Sequence, residues 1–211
     1  MRYSKDSILL LLFQITAHIG LIYQLFYGSV EYWAASLLVY FFTGCFGMSM
    51  TYLRILSHKS WNAPSWFEKF GTLCGFYGLT GSSIAWVAVH REHHRHTDKE
   101  GDPHAPSIKG FIAVQWLSMF ETPNPKYALH LIKDPFHSTL HRYYFILHCA
   151  IILTLYSIVG IDLLVALYLA PAAILWNAGS FIITLTHMIG YRNFNTNDNS
   201  TNVHFLGYLM W

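Results

Sequence analysis

Charged positions interrupt this chain very unevenly. Residues 7–30 contain no Asp, Glu, Lys or Arg, and after Glu31 a second uncharged stretch covers 32–53. A third covers 143–161, and beyond Asp162 a fourth covers 163–191. All four are dense in Leu, Ile, Ala and aromatic residues, and a helix crosses a bilayer core in roughly 20 residues. The pattern predicts an all-α integral membrane protein with four transmembrane helices, at about 8–29, 32–53, 143–161 and 163–189. Between the second and third spans lies a polar segment, 54–142, expected to form a helical cap, the whole being a single domain over 1–211.

Two stretches within that segment have a character of their own. Residues 70–89 are uncharged but carry Gly71, Gly75, Gly78 and Gly81 with Thr72, Thr80, Ser82 and Ser83. They read as a re-entrant or interfacial element, because a fifth crossing would place the polar chain after His90 on the opposite side from His58. Residues 110–120 read as an amphipathic piece lying at the surface, followed by a stretch broken by Pro123, Pro125 and Pro135.

Composition agrees with the pattern: 54% of the 211 residues are hydrophobic and only 11% are charged, against roughly 25% in a soluble domain. The distribution of Lys and Arg orients the chain. Of the 13, two precede the first span, ten lie from Arg54 to Arg142 and one follows the fourth span. The short connectors 28–31 and 160–162 carry none. Basic residues gather on the cytoplasmic side, so both termini and the polar segment are expected there. A net charge of +2 offers no field for nucleic acid, and the three cysteines, Cys45, Cys74 and Cys149, form no CxxC pair.

The unusual count is 13 histidines, five of them between His90 and His104. His90, His93 and His94 stand at i, i+3 and i+4, so on a helix they share a face and can converge on one ion or a pair. Neutral imidazole suits iron, copper, nickel or zinc. His58, where the second span emerges, and His187, at the end of the fourth, fall at the same membrane face as His90, and one shared metal site accounts for all three. His18, mid-span, reads as a packing or interhelical hydrogen-bonding residue. His130, His137, His141 and His148 read as solvated or interfacial, and His104 and His204 are unassigned. No glycine-rich phosphate loop, GxSxG elbow or HExxH motif occurs.

The run His90-Arg91-Glu92-His93-His94, preceded by Trp86 and followed by Gly101-Asp102-Pro103-His104, resembles the second histidine box of the membrane fatty acid desaturases of the delta-9 acyl-CoA and acyl-lipid type. His187 with its trailing Gly190 and Arg192 resembles the family's fourth-span histidine, and the likeness runs along essentially the whole chain. It implies two non-haem iron ions held by His58, His90, His93, His94 and His187. It also implies an oxygen-dependent desaturase that introduces a cis double bond into a saturated fatty acyl chain, with O2 and an external electron donor such as ferredoxin or cytochrome b5. An acyl-lipid substrate is favoured over acyl-CoA because 80–85 carries no charge. Two departures stand out. Leu53 occupies the place where the first box begins with His, and the family's third box, HxxHH, has no counterpart before Trp211. The expectation is a multi-pass membrane protein, active on its cytoplasmic face and incomplete at its C-terminus, that does not desaturate unaided. The alternatives are an inactive desaturase-like scaffold or a related diiron lipid hydroxylase.

Overall fold

The computed structural model describes residues 5–209; Arg2 and Trp211 lie outside the described residues. Among these residues the secondary structure is helical, with one isolated bridge pairing Tyr191 and Asn202. The long helix α1 spans Lys5–Tyr27. Helix α2, Val30–Phe41, continues without a break as a π-helical stretch over Phe42–Ser57. Helices α3 (Ser65–Tyr77) and α4 (Ser83–His96) follow. Short helices α5 (Pro106–Lys109), α6 (Phe111–Leu117), α7 (Leu129–Ile132) and α8 (Pro135–Arg142) make up the middle of the chain. Helix α9 (Tyr144–Leu164) passes through a π turn, Val165–Leu169, into α10 (Ala170–Leu185), and α11 covers His204–Leu209.

Three helical runs are long and apolar enough to cross a membrane: Lys5–Tyr27, Val30–Ser57 and Tyr144–Leu185. The third and fourth expected spans fall together in the last, 42-residue run, which is broken at Gly160, φ 77° and ψ −174°. Only glycine adopts that conformation at low cost. The chain folds back there, so that Ile151, Ile152 and Leu155 pack against Leu164, Val165, Tyr168 and Leu169. The second arm also ends sooner than the hydropathy suggests, at Leu185. His187 therefore sits in the turn beyond the helix rather than inside it.

Helix α1 is apolar outside and small or polar inside. In α1, Ile8, Leu12, Ile15, Ile19, Ile22, Leu25 and Phe26 are exposed, whereas Ser7, Gln14, Ala17, Gly20 and Gln24 are buried. This inversion suits a lipid surround, where small and polar side chains join helices and aliphatic ones face the tails. Gln14 Nε2 donates to the Leu79 carbonyl (2.7 Å), and Gln24 Nε2 to Ser36 Oγ (2.8 Å), which in turn donates to the Ala166 carbonyl (2.8 Å). His18 links α1 to α10 through Asn177 Nδ2 (2.9 Å), the interhelical role expected of it.

At the two ends of the π-helical stretch Thr43 Oγ1 donates to the Val39 carbonyl (2.9 Å) and Ser57 Oγ to the Tyr52 carbonyl (2.7 Å). Helix α3 lies along this stretch at glycine contacts: a Cβ on Gly47 would stand 2.4 Å from the Gly75 amide nitrogen. Residues 70–89 thus form two helices joined by a turn, and they bring the start of α4 beneath the second span. Helix α6 buries Val114 and its one polar residue, Gln115, while exposing Ile112 and Trp116, so its exposed face is apolar rather than the polar face of an amphipathic piece.

Candidate metal centre

Helix α4 begins at Ser82, whose Oγ accepts the Ala85 N–H, and its first turns are anchored by buried Ile84, Val87 and Ala88. That anchoring fixes the phase of the two polar turns that follow. His90 and His94 share a face, with Nε2 atoms 3.0 Å apart, and Trp86 stacks on the His90 ring at 4.7 Å. His58 is the residue at which the π-helical stretch ends, and its Nε2 also lies 3.0 Å from that of His90. One donor atom from each of His58, His90 and His94 falls within 4.8 Å of the other two, the one such trio among the described residues.

Arg91 joins the two elements. Its guanidinium donates to the carbonyls of Ser57 (Nε, 2.9 Å), Leu56 (Nη2, 2.7 Å) and Tyr127 (Nη1, 2.9 Å). The fork thereby satisfies carbonyls that the end of the second span leaves open and carries His58 to the face of α4.

His93 points elsewhere. It is buried, and its Nδ1–H donates to the Asp102 carboxylate, 2.9 Å from both oxygens. The same carboxylate accepts the backbone N–H groups of Asp98 (2.8 Å) and His104 (2.9 Å). Asp98, with φ 57°, turns its own carboxylate onto Nδ1 of His187 (2.9 Å) and the Asn199 N–H (2.7 Å). The His93 ring lies 5.0 Å from that of His104 and 5.2 Å from that of His187, centre to centre. The structure therefore sorts the five expected residues into two adjoining groups. His187 lies against His93, and the two groups adjoin where the His93 and His94 rings stand 5.4 Å apart.

The electrostatics favour the neutral form of His58, His90, His94 and His104. Burial, then the neighbouring His94 and His58, pushes His90 down to about 2; burial and His58 push His94 down to about 4; burial and His93 push His104 down to about 3. His58 is lowered too, by burial and by Arg91. Burial pushes the Asp102 carboxyl up, but the hydrogen bonds from His93 and the two backbone N–H groups outweigh it and hold it at about 2. Neutral imidazoles offer lone pairs, and a carboxylate on Nδ1 leaves Nε2 free and more basic. A nitrogen-rich, thiolate-free donor set of this kind fits iron, copper, nickel or zinc.

No family model matches the chain. It is 32% identical over 209 residues to the sn-1 stearoyl-lipid 9-desaturase of Anabaena variabilis, an alignment covering 95% of the chain and 76% of that relative. Against the sn-2 palmitoyl-lipid 9-desaturase of a Nostoc species identity is 35% over 170 residues, covering 76% of the chain and 59% of the relative. Against the Delta-9 acyl-lipid desaturase 1 of Arabidopsis thaliana it is 31% over 185 residues, covering 80% and 57%. The chain belongs to the fatty acid desaturase family. It spans a little over half the length of the latter two relatives.

Four residues of this desaturase-family site escaped the sequence reading of the ligands. Arg91 was legible only as part of the box, because three carbonyl acceptors come from elements distant in sequence. Asp98 and Asp102 carried a signal, two carboxylates four residues apart ending in Asp-Pro-His directly after the histidine helix. His104 was unassigned and is buried against His93. Two others are corrected: His137, within reach of Ser83 (2.8 Å) and Glu68 (3.5 Å), and His148, bonded to Tyr168, are buried rather than solvated or interfacial.

Proposed function

We propose that the chain serves an oxygen-dependent acyl desaturation, with His58, His90, His93, His94 and His187 holding two non-haem iron ions. The observation that carries this is the His58, His90 and His94 trio, its donors within 4.8 Å, next to two histidines backed by carboxylates, in a chain related to lipid 9-desaturases. Such an iron pair supplies dioxygen activation, fed by two electrons from an external donor such as ferredoxin or cytochrome b5. In the overall reaction a –CH2–CH2– unit loses two hydrogens and becomes –CH=CH–. O2 takes these up with two protons and two electrons to form two waters.

The residues of this chain contribute position and enclosure. Arg91 ties His58 to α4, Asp102 and Asp98 fix the tautomers of His93 and His187, and Trp86 covers one side of His90. An unactivated methylene gives a protein no charge to hold, so selectivity rests on an apolar channel that fixes the acyl chain beside the metal. The relatives' names speak of stearoyl and palmitoyl lipids, and the uncharged 80–85 favours an acyl-lipid here also. Four membrane spans with both termini and the 54–142 cap in the cytoplasm accord with the fold-back at Gly160 and with the placement of the basic residues.

The test is expression of the gene that carries this chain in a host of defined saturated lipid content, with acyl chains analysed by gas chromatography and mass spectrometry. New monounsaturated chains, absent with His90→Ala, support the reading. Hydroxylated chains would move it to a lipid hydroxylase. Unchanged lipids with iron bound would favour a scaffold, which Leu53 at a ligand position would explain.

A further inference from the structure

Residues 110–120 carry no charged side chain, and Phe111–Phe120 is helical and apolar but far shorter than a span. Lys109 and Glu121, the charged residues on either side, form an ion pair. The segment therefore leaves the polar cap and returns to it at one point, with an uncharged stretch between. Its exposed side chains include Ile112, Trp116 and Leu117, at 69%, 41% and 47%, whereas Gln115 is fully buried. Water favours the reverse arrangement. The pattern is that of α1, where aliphatic residues face outward and polar ones inward.

Its neighbours set its depth. The Phe111 ring lies 6.5 Å from that of Phe181 on α10, and the Gln115 amide bridges the Asn177 carbonyl (3.5 Å) and the Thr184 hydroxyl (3.2 Å). Trp116 meets the His18 ring of α1 edge-on at 5.4 Å. From His18 toward the N-terminus, α1 keeps aliphatic side chains exposed at Ile15, Leu12 and Ile8, a distance of roughly 15 Å along the helix. With the N-terminus of α1 on the cytoplasmic side, Trp116 stands that far inside the level at which α1 first faces lipid. The lipid-facing surface of α1 thus continues onto the exposed face of α6. We infer that residues 110–120 dip from the cap into the cytoplasmic leaflet and present Ile112, Trp116 and Leu117 to lipid acyl chains, rather than resting on the membrane surface. Gln115 then does for α6 what Gln14 and Gln24 do for α1, meeting polar partners inside the protein where lipid offers none.

The inference rests on the membrane placement of α1 proposed above, and the experiment separates the two. The full chain, with Cys45, Cys74 and Cys149 replaced, is reconstituted in phosphatidylcholine vesicles with a nitroxide on a single cysteine at Ile112, Ile15 or Lys99. Electron paramagnetic resonance compares accessibility to oxygen, which concentrates among acyl chains, with accessibility to a polar nickel chelate, which lipid excludes. The oxygen-to-nickel ratio at Ile112 is expected to match that at Ile15 and to exceed that at Lys99 at least ~10-fold. A ratio at Ile112 that equals the Lys99 value or marks the headgroup layer, with Ile15 still in lipid, would overturn the dip alone. A ratio at Ile15 equal to that at Lys99 would overturn the membrane placement of α1 itself. If the labelled variants do not fold by circular dichroism, the unsubstituted chain decides the point. Irradiated with a phosphatidylcholine carrying a diazirine at the acyl-chain end, it is expected to show lipid adducts on 111–117 by peptide mass spectrometry. Adducts on α1 with none on 111–117 would overturn the inference.

Discussion

The Nε2 atoms of His58 and His90, 32 residues apart in sequence, stand 3.0 Å from one another. Two imidazole nitrogens at that distance share a single proton or a single cation, and burial keeps His90 neutral. With His94 they form a half-site drawn from residues 58–94 alone. Single alanine substitutions at His58, His90 or His94 are expected to remove one ion per chain, or to weaken it ~10- to 100-fold, while His130→Ala leaves both ions bound. Metal analysis of the purified chains checks this; full occupancy in His94→Ala contradicts it.

Arg91 should matter through position rather than charge. Lysine keeps the charge but not the fork that reaches the Leu56, Ser57 and Tyr127 carbonyls. Arg91→Lys is expected to lower metal affinity at the His58 half-site and to cost on the order of 2 kcal/mol of stability. A thermal unfolding curve and a Co(II) titration give the two numbers. An unchanged affinity would show that His58 holds its place without the clamp.

Acid should weaken the metal-free protein. His90, His94 and His104 lie below the ordinary histidine value of 6.5 in the folded chain, at about 2, 4 and 3. The unfolded chain therefore binds more protons from about pH 6.5 downward, and stability falls as pH falls through that window. The Tm of the metal-free chain is expected to drop by at least ~2 °C between pH 7 and pH 5, and bound metal to protect against the loss. A metal-free Tm that rises on acidification would contradict the burial of neutral imidazoles.

Leu53 lies five residues before His58, and its carbonyl accepts the His58 N–H at 3.0 Å, a π-type bond. The two residues are thus roughly one turn apart on the same side of the π-helical stretch. Leu53→His is expected to add a donor beside the first trio and to tighten metal binding several-fold. Unchanged affinity with lower stability would assign Leu53 to packing.

The membrane arrangement can be read with thiol reagents after Cys45, Cys74 and Cys149 are replaced. A cysteine at Ser29, in the connector between α1 and α2, is expected to label from outside, and one at Lys99, after the histidine helix, from the cytoplasm. Labelling of both from one side would exclude the single crossing between them that the four-span arrangement requires.

Hydropathy alone determined that this is a helical membrane protein, because a bilayer demands long uncharged runs whatever packs against them. Spacing alone placed His90, His93 and His94 along one helical stretch, since a 3.6-residue period is local. Only the tertiary structure decided which way each imidazole serves. His90 and His94 meet His58 because Arg91 ties the second span to α4, whereas His93 turns to His187, whose carboxylate partner Asp98 is 89 residues away from it in sequence. The sequence showed a polar Asp-rich turn but not that its carboxylates stand behind histidines. Nor could it show that His104 would be buried beside them, because burial depends on which segments fold over a residue rather than on its neighbours in the chain. The break at Gly160 was legible, falling in the connector expected over 160–162, but only the packing of one arm on the other fixed it at that glycine with a positive φ.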